Sequence, residues 1–398
     1  MTKRICIIVQ NYYDTDPRVR REAEALVRAG FSVDVLGVSP PSRTEKSYQM
    51  NGVQVYTLQV NKRRGGKVSY LLEYLIFFLM TFFWLARQTF RQRYDIVQVC
   101  TLPDFLVFAT LVPKLFGAKI VLDMHEVMPE FYISKYQVSE DNWIIRALKW
   151  QEKASIRFAD HVLTINEPIQ QLLVSRGLKP DRVTIVMNSA DEALFQISAN
   201  TPSVSSDNSF KMMYHGTITR IYGLDIAVRA LDIVRQTLPD AELWIIGDGP
   251  EIEDLRTLTQ RLSLKDRVKF IGTMPQQAIP SYLAQCTVGI LPTRRDIFLD
   301  LSFSNKLAEY IIMKKPVIAS RLKAIRHYFS EDALAFFDPE DVNDLARKMV
   351  ELHDNLNLRE SLVIHAEKEY AAIRWELMKY RYIKLMNDLL EPAPESAG

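Results

Sequence analysis

Cysteine is scarce: Cys6, Cys100 and Cys286 are the only three in 398 residues, far apart and with no CxxC pair. That excludes a disulfide-stapled scaffold and predicts free, mostly buried thiols in a reducing compartment. A charge excess is also missing. Lys and Arg number 50 against 48 Asp and Glu, a formal net charge of +2, without the basic imbalance of a nucleic-acid binder. The longest uncharged apolar run, Tyr74–Ala86, has 13 residues, short of the about 20 that span a bilayer. The N-terminal run Ile5–Val9 is too short for a signal-peptide core, and no small-residue cleavage site follows it. A cytoplasmic protein is therefore expected.

Several chemistries lack their signatures. No GxGxxG follows the first strand, and there is no GxxxxGK[ST], HExxH or GxSxG. Histidine and cysteine are not spaced as zinc ligands. Dinucleotide hydride transfer, P-loop hydrolysis and zinc hydrolysis all lose support.

What is present is an ordinary globular composition, 48% hydrophobic and 25% charged. The length predicts two to three domains at about 150 residues each. Short β-branched runs alternate with amphipathic stretches, which predicts parallel sheets covered on both faces. Strands are expected at Ile5–Val9, Ser32–Gly37, Gln54–Leu58, Ile96–Val99, Lys119–Asp123, His161–Ile165 and Val183–Val186. The polar, Pro-containing stretch at 198–210 then breaks the rhythm as a linker would. A second series follows at Lys211–Tyr214, Ala241–Ile246, Val268–Ile271, Val288–Leu291, Pro316–Ala319 and Ala333–Phe337. The expected organisation is a doubly wound domain at 1–197, the linker, and a second doubly wound domain at 211–370. One long helical stretch over about 358–390 follows, its part at 371–390 returning to the first domain, and then a disordered tail at 391–398. Two such domains imply a cleft at the carboxyl ends of their strands.

Tyr74–Ala86 contains four Phe and one Trp and follows the basic cluster Lys62, Arg63, Arg64 and Lys67. Two readings stand: a core helix of the first domain, or an interfacial helix whose Phe78, Phe82, Phe83 and Trp84 enter a membrane surface while the cluster meets anionic lipid.

The candidate site residues fall at strand ends. Tyr214–Asp225 leaves a strand and opens a helix, with Gly216 and Gly223 permitting tight backbone and Arg220 in the turn. Ser304 is a candidate cap for a helix whose free N–H groups would meet an anion. Lys306 in its first turn opposes the helix dipole, which an anionic ligand would explain. Glu309 lies one turn on, suited to ribose hydroxyls. Asp123, His125 and Glu126 stand at the carboxyl end of another strand, His125 able to exchange a hydrogen bond with a substrate hydroxyl. Asp14–Arg21 precedes a helix, with Asp16 as cap, Pro17 in its first position, and Arg18 either solvated or on an acceptor.

Together these stretches resemble the retaining GT-B glycosyltransferases of the family-4, group 1 type. The most specific are Asp16-Pro-Arg-Val with Glu22, Ile246-Gly-Asp-Gly-Pro250, and Asn305-Lys-Leu-Ala-Glu-Tyr310 with Lys315-Pro-Val-Ile-Ala319. The resemblance implies two Rossmann-like domains about a cleft, with a nucleotide-diphosphate sugar on the second and a glycan or lipid-linked acceptor on the first. It implies that Glu309 holds the ribose, that Ser304, Asn305 and Lys306 hold the diphosphate, and that His125 sits beside the transferred sugar. His125, Arg220 and Lys306 are the expected catalytic set, and Gly216, Thr217, Gly272, Asp300, Ser304, Asn305 and Glu309 the donor set. Asp16, Arg18, Asp123 and Glu126 are expected at the acceptor. Two departures mark this chain. Thr217 and Tyr222 stand where the family often carries Arg and Lys, and Leu301 replaces the first Glu of its Glu-x7-Glu pair. No metal or other cofactor is expected, since no DxD lies in a loop suited to hold a metal diphosphate. The expected role is cell-surface polysaccharide or glycolipid assembly, with residues 62–86 touching the inner face of the membrane. An inactive GT-B scaffold and a nucleotide-sugar epimerase remain as rival readings.

Overall fold

A β-branched run between amphipathic helices buries itself best as an interior strand. The computed structural model describes residues 2–40, 43, 45–60, 67–190, 192, 194–195 and 209–391. The chain divides into two compact units, Met1–Met187 with Glu376–Gly398, and Asn188–Trp375.

The first unit holds eight strands: β1 Arg4–Ile8, β2 Ser32–Val38, β3 Ser47–Met50, β4 Val53–Leu58, β5 Ile96–Cys100, β6 Lys119–Met124, β7 His161–Thr164 and β8 Val183–Ile185. Their order is β3-β4-β2-β1-β5-β6-β7-β8, parallel except for the antiparallel β3–β4 pair. Strand β3 was not predicted because Ser-Tyr-Gln-Met, alternately exposed and half-buried, carries almost no apolar signal. The second unit is fully parallel: β9 Lys211–His215, β10 Glu242–Ile246, β11 Val268–Gly272, β12 Val288–Leu291, β13 Val317–Ser320 and β14 Ala335–Phe337, ordered β11-β10-β9-β12-β13-β14. Each sheet reverses its winding beside its first strand, between β1 and β5 and between β9 and β12. Ligand crevices form at such points, outside the carboxyl ends.

Two expectations are corrected. The stretch over 358–390 is two helices, Leu356–Tyr370 and Trp375–Asp388, with Arg374 extended between them. No Gly or Pro stops the first helix. The break is tertiary: Ile373 and Trp375, two positions apart, are both buried, which a continuous helix face would not allow. The linker also ends earlier than expected, because Phe210 packs into the second unit's core. Residues 198–208 of the linker and 392–398 of the tail lie outside the described residues. All three cysteines are free and buried, as expected.

The apolar segment forms part of a helix over Lys67–Arg91. Its Phe77, Thr81, Leu85 and Thr89, each four residues apart, are buried, and Trp84 packs on Tyr56 and Tyr94. The opposite face exposes Leu72, Leu75, Ile76, Leu79, Phe83 and Phe90, the last two by 67% and 72%. Phe90 meets Phe116, which stands beside the exposed Leu111 and Leu115. Of the four aromatics assigned to the surface, Phe83 is exposed, Phe82 packs on Phe83, Phe78 packs on Phe105, and Trp84 belongs to the core side. The helical period, not the composition, separates them. Lys62, Arg63 and Arg64 lie outside the described residues, as does the Lys67 side chain. Among the described residues no helix is long and apolar enough to cross a membrane.

Candidate functional site

In the second unit the chain leaves β9 through His215 and Gly216. Gly216 has φ +120°, and a Cβ there would fall 2.4 Å from Lys306 Cε. The glycine is therefore what lets the Lys306 stem lie across the strand end. Gly247, at φ +133° after β10, makes a closer approach: its Cβ would meet the Gly216 carbonyl oxygen at 1.9 Å. Two neighbouring strand ends thus touch through bare main chain. Beside them lies a cavity of about 330 Å³, lined among others by His215, Thr217, Asp248, Thr273, Met274 and Gln276. A larger cavity of about 540 Å³, lined among others by Lys211, Thr287 and Pro316, opens at the amino ends of the same strands, away from these residues.

The Asn305–Ile312 helix supplies the charge. Ser304 occupies the cap position with extended backbone, but its hydroxyl makes no capping bond. The expected cap is a position only, and the hydroxyl leaves the first-turn amides uncapped. Asn305 Oδ1 is buried without a hydrogen-bond partner. Lys306 Nζ stands 4.6 Å over the Tyr222 ring and 5.4 Å over Tyr214. Burial holds the Lys306 ammonium below its usual range, against the opposing pull of Glu309. Burial raises Glu309 to about 7, against the attraction of Lys306. His215 Nε2 lies 3.2 Å from Glu309 Oε2 without hydrogen-bond geometry. Burial, aided by Lys306, pushes His215 down to about 3, so its imidazole is neutral.

Thr217 and Gly216 line the cavity, and Gly272 adjoins it through its carbonyl, which accepts from Gly247 N at 2.9 Å. Arg220 is exposed in the turn after Thr219. Asp300 serves the loop: its Oδ1 accepts from Lys323 N at 3.2 Å and lies 3.7 Å from Arg295 Nε. Asp296, the other carboxylate near the missing Glu, accepts from Phe298 N and Leu299 N. Leu301, at the Glu position, is buried.

The first unit carries a second constellation. Asp16 Oδ1 accepts from Val19 N at 3.2 Å, capping the Pro17–Arg28 helix as expected. That helix buries Val19, Glu22, Ala23 and Leu26, so the apolar face carries a carboxyl. On β6, Asp123 stands opposite Cys100 of β5. His125 Nε2 donates to Asp123 Oδ2 at 2.6 Å, and the His125 amide donates to Thr101 Oγ1 at 3.1 Å. Gln98 Nε2 donates to Asp123 Oδ2 and to Glu22 Oε2, both at 2.9 Å. Burial drives both carboxyls up. For Glu22 it prevails, helped by Asp123, and the group stays protonated. For Asp123 the charge and hydrogen bond of His125 outweigh it, and the group is held low and ionised. With Nε2–H committed to Asp123, Nδ1 is the acceptor of the ring in its neutral form. Arg18 adds a cation whose field reaches Glu22, Asp123 and Glu126, while burial raises Glu126.

Cys100, Asp123 and His125 offer three atoms within 4.8 Å of one another, the one such group among the described residues. Burial pushes the Cys100 thiol well up, so it is no thiolate, and the 2.6 Å His–Asp contact is already a hydrogen bond. The donor set reads as a hydrogen-bonded cluster.

Three residues escaped the sequence. His215 had a signal, a histidine ending a strand like His125. Gln98 interrupts the apolar run Ile96–Cys100. Tyr382, whose hydroxyl donates to Gln98 Oε1 at 2.6 Å, lies 284 residues away and had no local signal.

Comparison with known proteins follows the same division. A model described as glycosyl transferase 4-like domain matches residues 15–189, and one described as glycosyl transferases group 1 matches residues 209–355. The chain is 24% identical over 249 residues to a phosphatidylinositol N-acetylglucosaminyltransferase component of Arabidopsis thaliana, covering 60% of this chain and 53% of that protein. It is 24% identical over 296 residues to sulfoquinovosyl transferase SQD2 of the same plant, covering 72% and 55%. The chain thus spans about half the length of these curated relatives. Sucrose-phosphate synthase from Thermosynechococcus elongatus superposes with TM-score 0.77 at 19% identity, over 97% of this chain and 99% of that one. Anabaena HepE, in complex with UDP, gives 0.73 at 15% identity, over 97% and 100%. With both of its halves matched and each sheet wound in the Rossmann order, the chain belongs to the group 1, family-4 type glycosyltransferases and has their GT-B fold.

Proposed function

We propose that this protein transfers a sugar from a nucleoside diphosphate sugar to a hydroxyl of a glycan or lipid-linked acceptor, with retention and without a divalent ion. The observation that carries the reading is Lys306. A partly buried, desolvated ammonium at the start of a helix, with no carboxylate hydrogen-bonded to it among the described residues and a glycine-floored cavity beside it, suits a diphosphate. HepE, described with UDP, supports a nucleoside diphosphate in this fold.

In the reaction the bond from the sugar C1 to the phosphate oxygen breaks and its electron pair leaves on that oxygen. The acceptor oxygen bonds to C1 on the same face, and its proton passes to the departing phosphate. Lys306, the uncapped amides of its helix and Arg220 stabilise the developing charge, electrostatic assistance that needs no reorganisation. Glu309 accepts from the ribose hydroxyls. His125 Nδ1 accepts from a sugar hydroxyl, with Asp16, Arg18, Asp123 and Glu126 on the acceptor side. The retaining course comes from the resemblance to the family.

Calorimetric titration with UDP, GDP, ADP and CMP in chelator tests the donor site. One nucleotide is expected to bind, and Glu309→Ala to weaken it by about tenfold or more, the worth of a charged hydrogen bond. Because burial sets Glu309 near 7, affinity falls as the pH drops from about 8 to about 6 and the carboxyl takes up its proton. Glu309→Gln is expected to bind weakly and flatly across that range. Binding of no nucleotide, with or without Mg2+, would move the protein to the scaffold reading; sugar isomerisation on donor alone would make it an epimerase.

We further propose that the acceptor is presented at the inner face of a membrane and that the exposed stripe Leu72–Phe90 docks there. The stripe is apolar, and Arg87, Arg91 and Arg93 beside it are exposed and cationic, a combination suited to anionic lipid. Relatives named for phosphatidylinositol and sulfoquinovosyl transfer support a lipid-linked acceptor. Phe83→Glu should lower partitioning onto anionic vesicles by about tenfold or more, since a buried Phe contributes about 2 kcal/mol. Equal sedimentation of wild type and variant would leave the stripe with no lipid role.

A further inference from the structure

Gln98 lies in the middle of β5 and is fully buried. A primary amide there must place its two N–H groups and its carbonyl correctly or forfeit hydrogen bonds. Every group is matched. Both N–H groups face carboxyls, Glu22 Oε2 and Asp123 Oδ2 at 2.9 Å, and the carbonyl accepts from the Tyr382 hydroxyl at 2.6 Å. Tyr382 is itself buried, on the Trp375–Asp388 helix. Turned over, the amide would present its oxygen to the Asp123 carboxylate and its N–H groups to the phenol.

We propose that Tyr382 and Gln98 are positioning residues for His125: the phenol sets the Gln98 amide, the amide holds Asp123, and Asp123 keeps His125 protonated at Nε2 with Nδ1 as acceptor. This rests on the reading of His125 as a residue that acts on the sugar. The chain of contacts runs through four elements, from the C-terminal helix through β5 and β6 to the turn at His125. Its direction is fixed by the ends. The Tyr382 phenol, raised far above its usual range by burial, with the Asp123 charge adding to it, remains a donor. Asp123 is ionised and remains an acceptor. The charged and titratable groups around His125 are Asp123 and Glu126 on its own segment, Cys100 on β5, and Arg18 and Glu22 on the Pro17–Arg28 helix.

The test is Tyr382→Phe, which removes the hydroxyl and keeps the ring, with the exposed Tyr380→Phe on the same helix as control. Long-range 15N–1H NMR of the free protein reads the His125 tautomer without any substrate. At a pH where the imidazole is neutral, wild type and Tyr380→Phe should show Nε2–H alone, and Tyr382→Phe a mixture with Nδ1–H. Where donor and acceptor turn over, kcat should fall about tenfold with donor KM nearly unchanged, and its pH profile should shift. A wild-type tautomer in Tyr382→Phe overturns the proposal, whatever the rate does. A changed tautomer with an unchanged rate and pH profile keeps the positioning and removes His125 from the reaction. If Tyr382→Phe does not fold, Gln98→Met answers the same question by the same spectrum.

Discussion

Replacing Lys306 by alanine is expected to lower turnover by about 10^2- to 10^3-fold, the loss typical of one preorganised electrostatic contact, while the second unit stays folded. Three observations set that size. The ammonium is desolvated, so its field on a nearby phosphate is screened little. Its stem is held against Gly216 and its head over Tyr222, so it is aimed before any ligand arrives. The places where the family often carries a further Arg and Lys hold Thr217 and Tyr222 here, which concentrates the charge on this side chain. The fold survives because deletion removes a desolvated cation, and Glu309, which burial already raises to about 7, takes up a proton in its absence. Lys306→Arg should fail as well, since a planar guanidinium does not replace a point charge packed on a glycine. Steady-state rates with the nucleotide sugar, beside calorimetric affinity for the nucleotide, separate the roles. Lost affinity at constant kcat would make Lys306 a ground-state ligand, and unchanged values of both would end the electrostatic account.

His125→Ala should lower kcat by about 10^2-fold and leave nucleotide affinity at the wild-type value. Calorimetry thus separates Glu309→Ala, which loses nucleotide affinity, from His125→Ala, which keeps it, because Glu309 belongs to one unit and His125 to the other. His125 reaches the surface only at one edge, being 5% exposed. Asp123 Oδ2 accepts a hydrogen bond from its Nε2–H at 2.6 Å. Alanine would also leave the Asp123 charge facing Gln98, the Cys100 thiol and the field of Arg18, so some loss of stability in the first unit accompanies the loss of rate. His125→Asn, measured for unfolding as well as rate, divides the two effects. A variant that turns over like wild type would remove His125 from the reaction.

The parts of this molecule that obey a local period were readable, and the parts set by distant contacts were not. Every predicted strand formed, because a β-branched run covered on both faces has few alternatives. Strand β3 was invisible, since Ser47–Met50 faces solvent on alternate positions and needs no apolar residue. Lys306 and Glu309 were readable as a helix start with a charge of the wrong sign for its dipole. The Ser304 cap was readable as a position but not as a bond. The Lys67–Arg91 helix looked apolar all round in composition, and only its packing showed which side Phe77 and Phe83 take. Glu22 was legible in principle, being in step with Val19, Ala23 and Leu26 on the buried face. Its partners Gln98 and Tyr382 were not, because nothing near either residue announces the other.

That last pairing has a consequence for how the protein is made. Synthesis runs from the N-terminal side, and Gln98 emerges from the ribosome 284 residues before the phenol that completes its hydrogen bonds. At about 10 residues per second that interval is roughly half a minute. Until the Trp375–Asp388 helix is made, the Gln98 carbonyl in the growing sheet lacks the phenol that satisfies it. The entire Asn188–Trp375 unit is synthesised in between. The first unit to begin folding is therefore the last to finish, and His125 gains its full set of supports only after the second unit has been made.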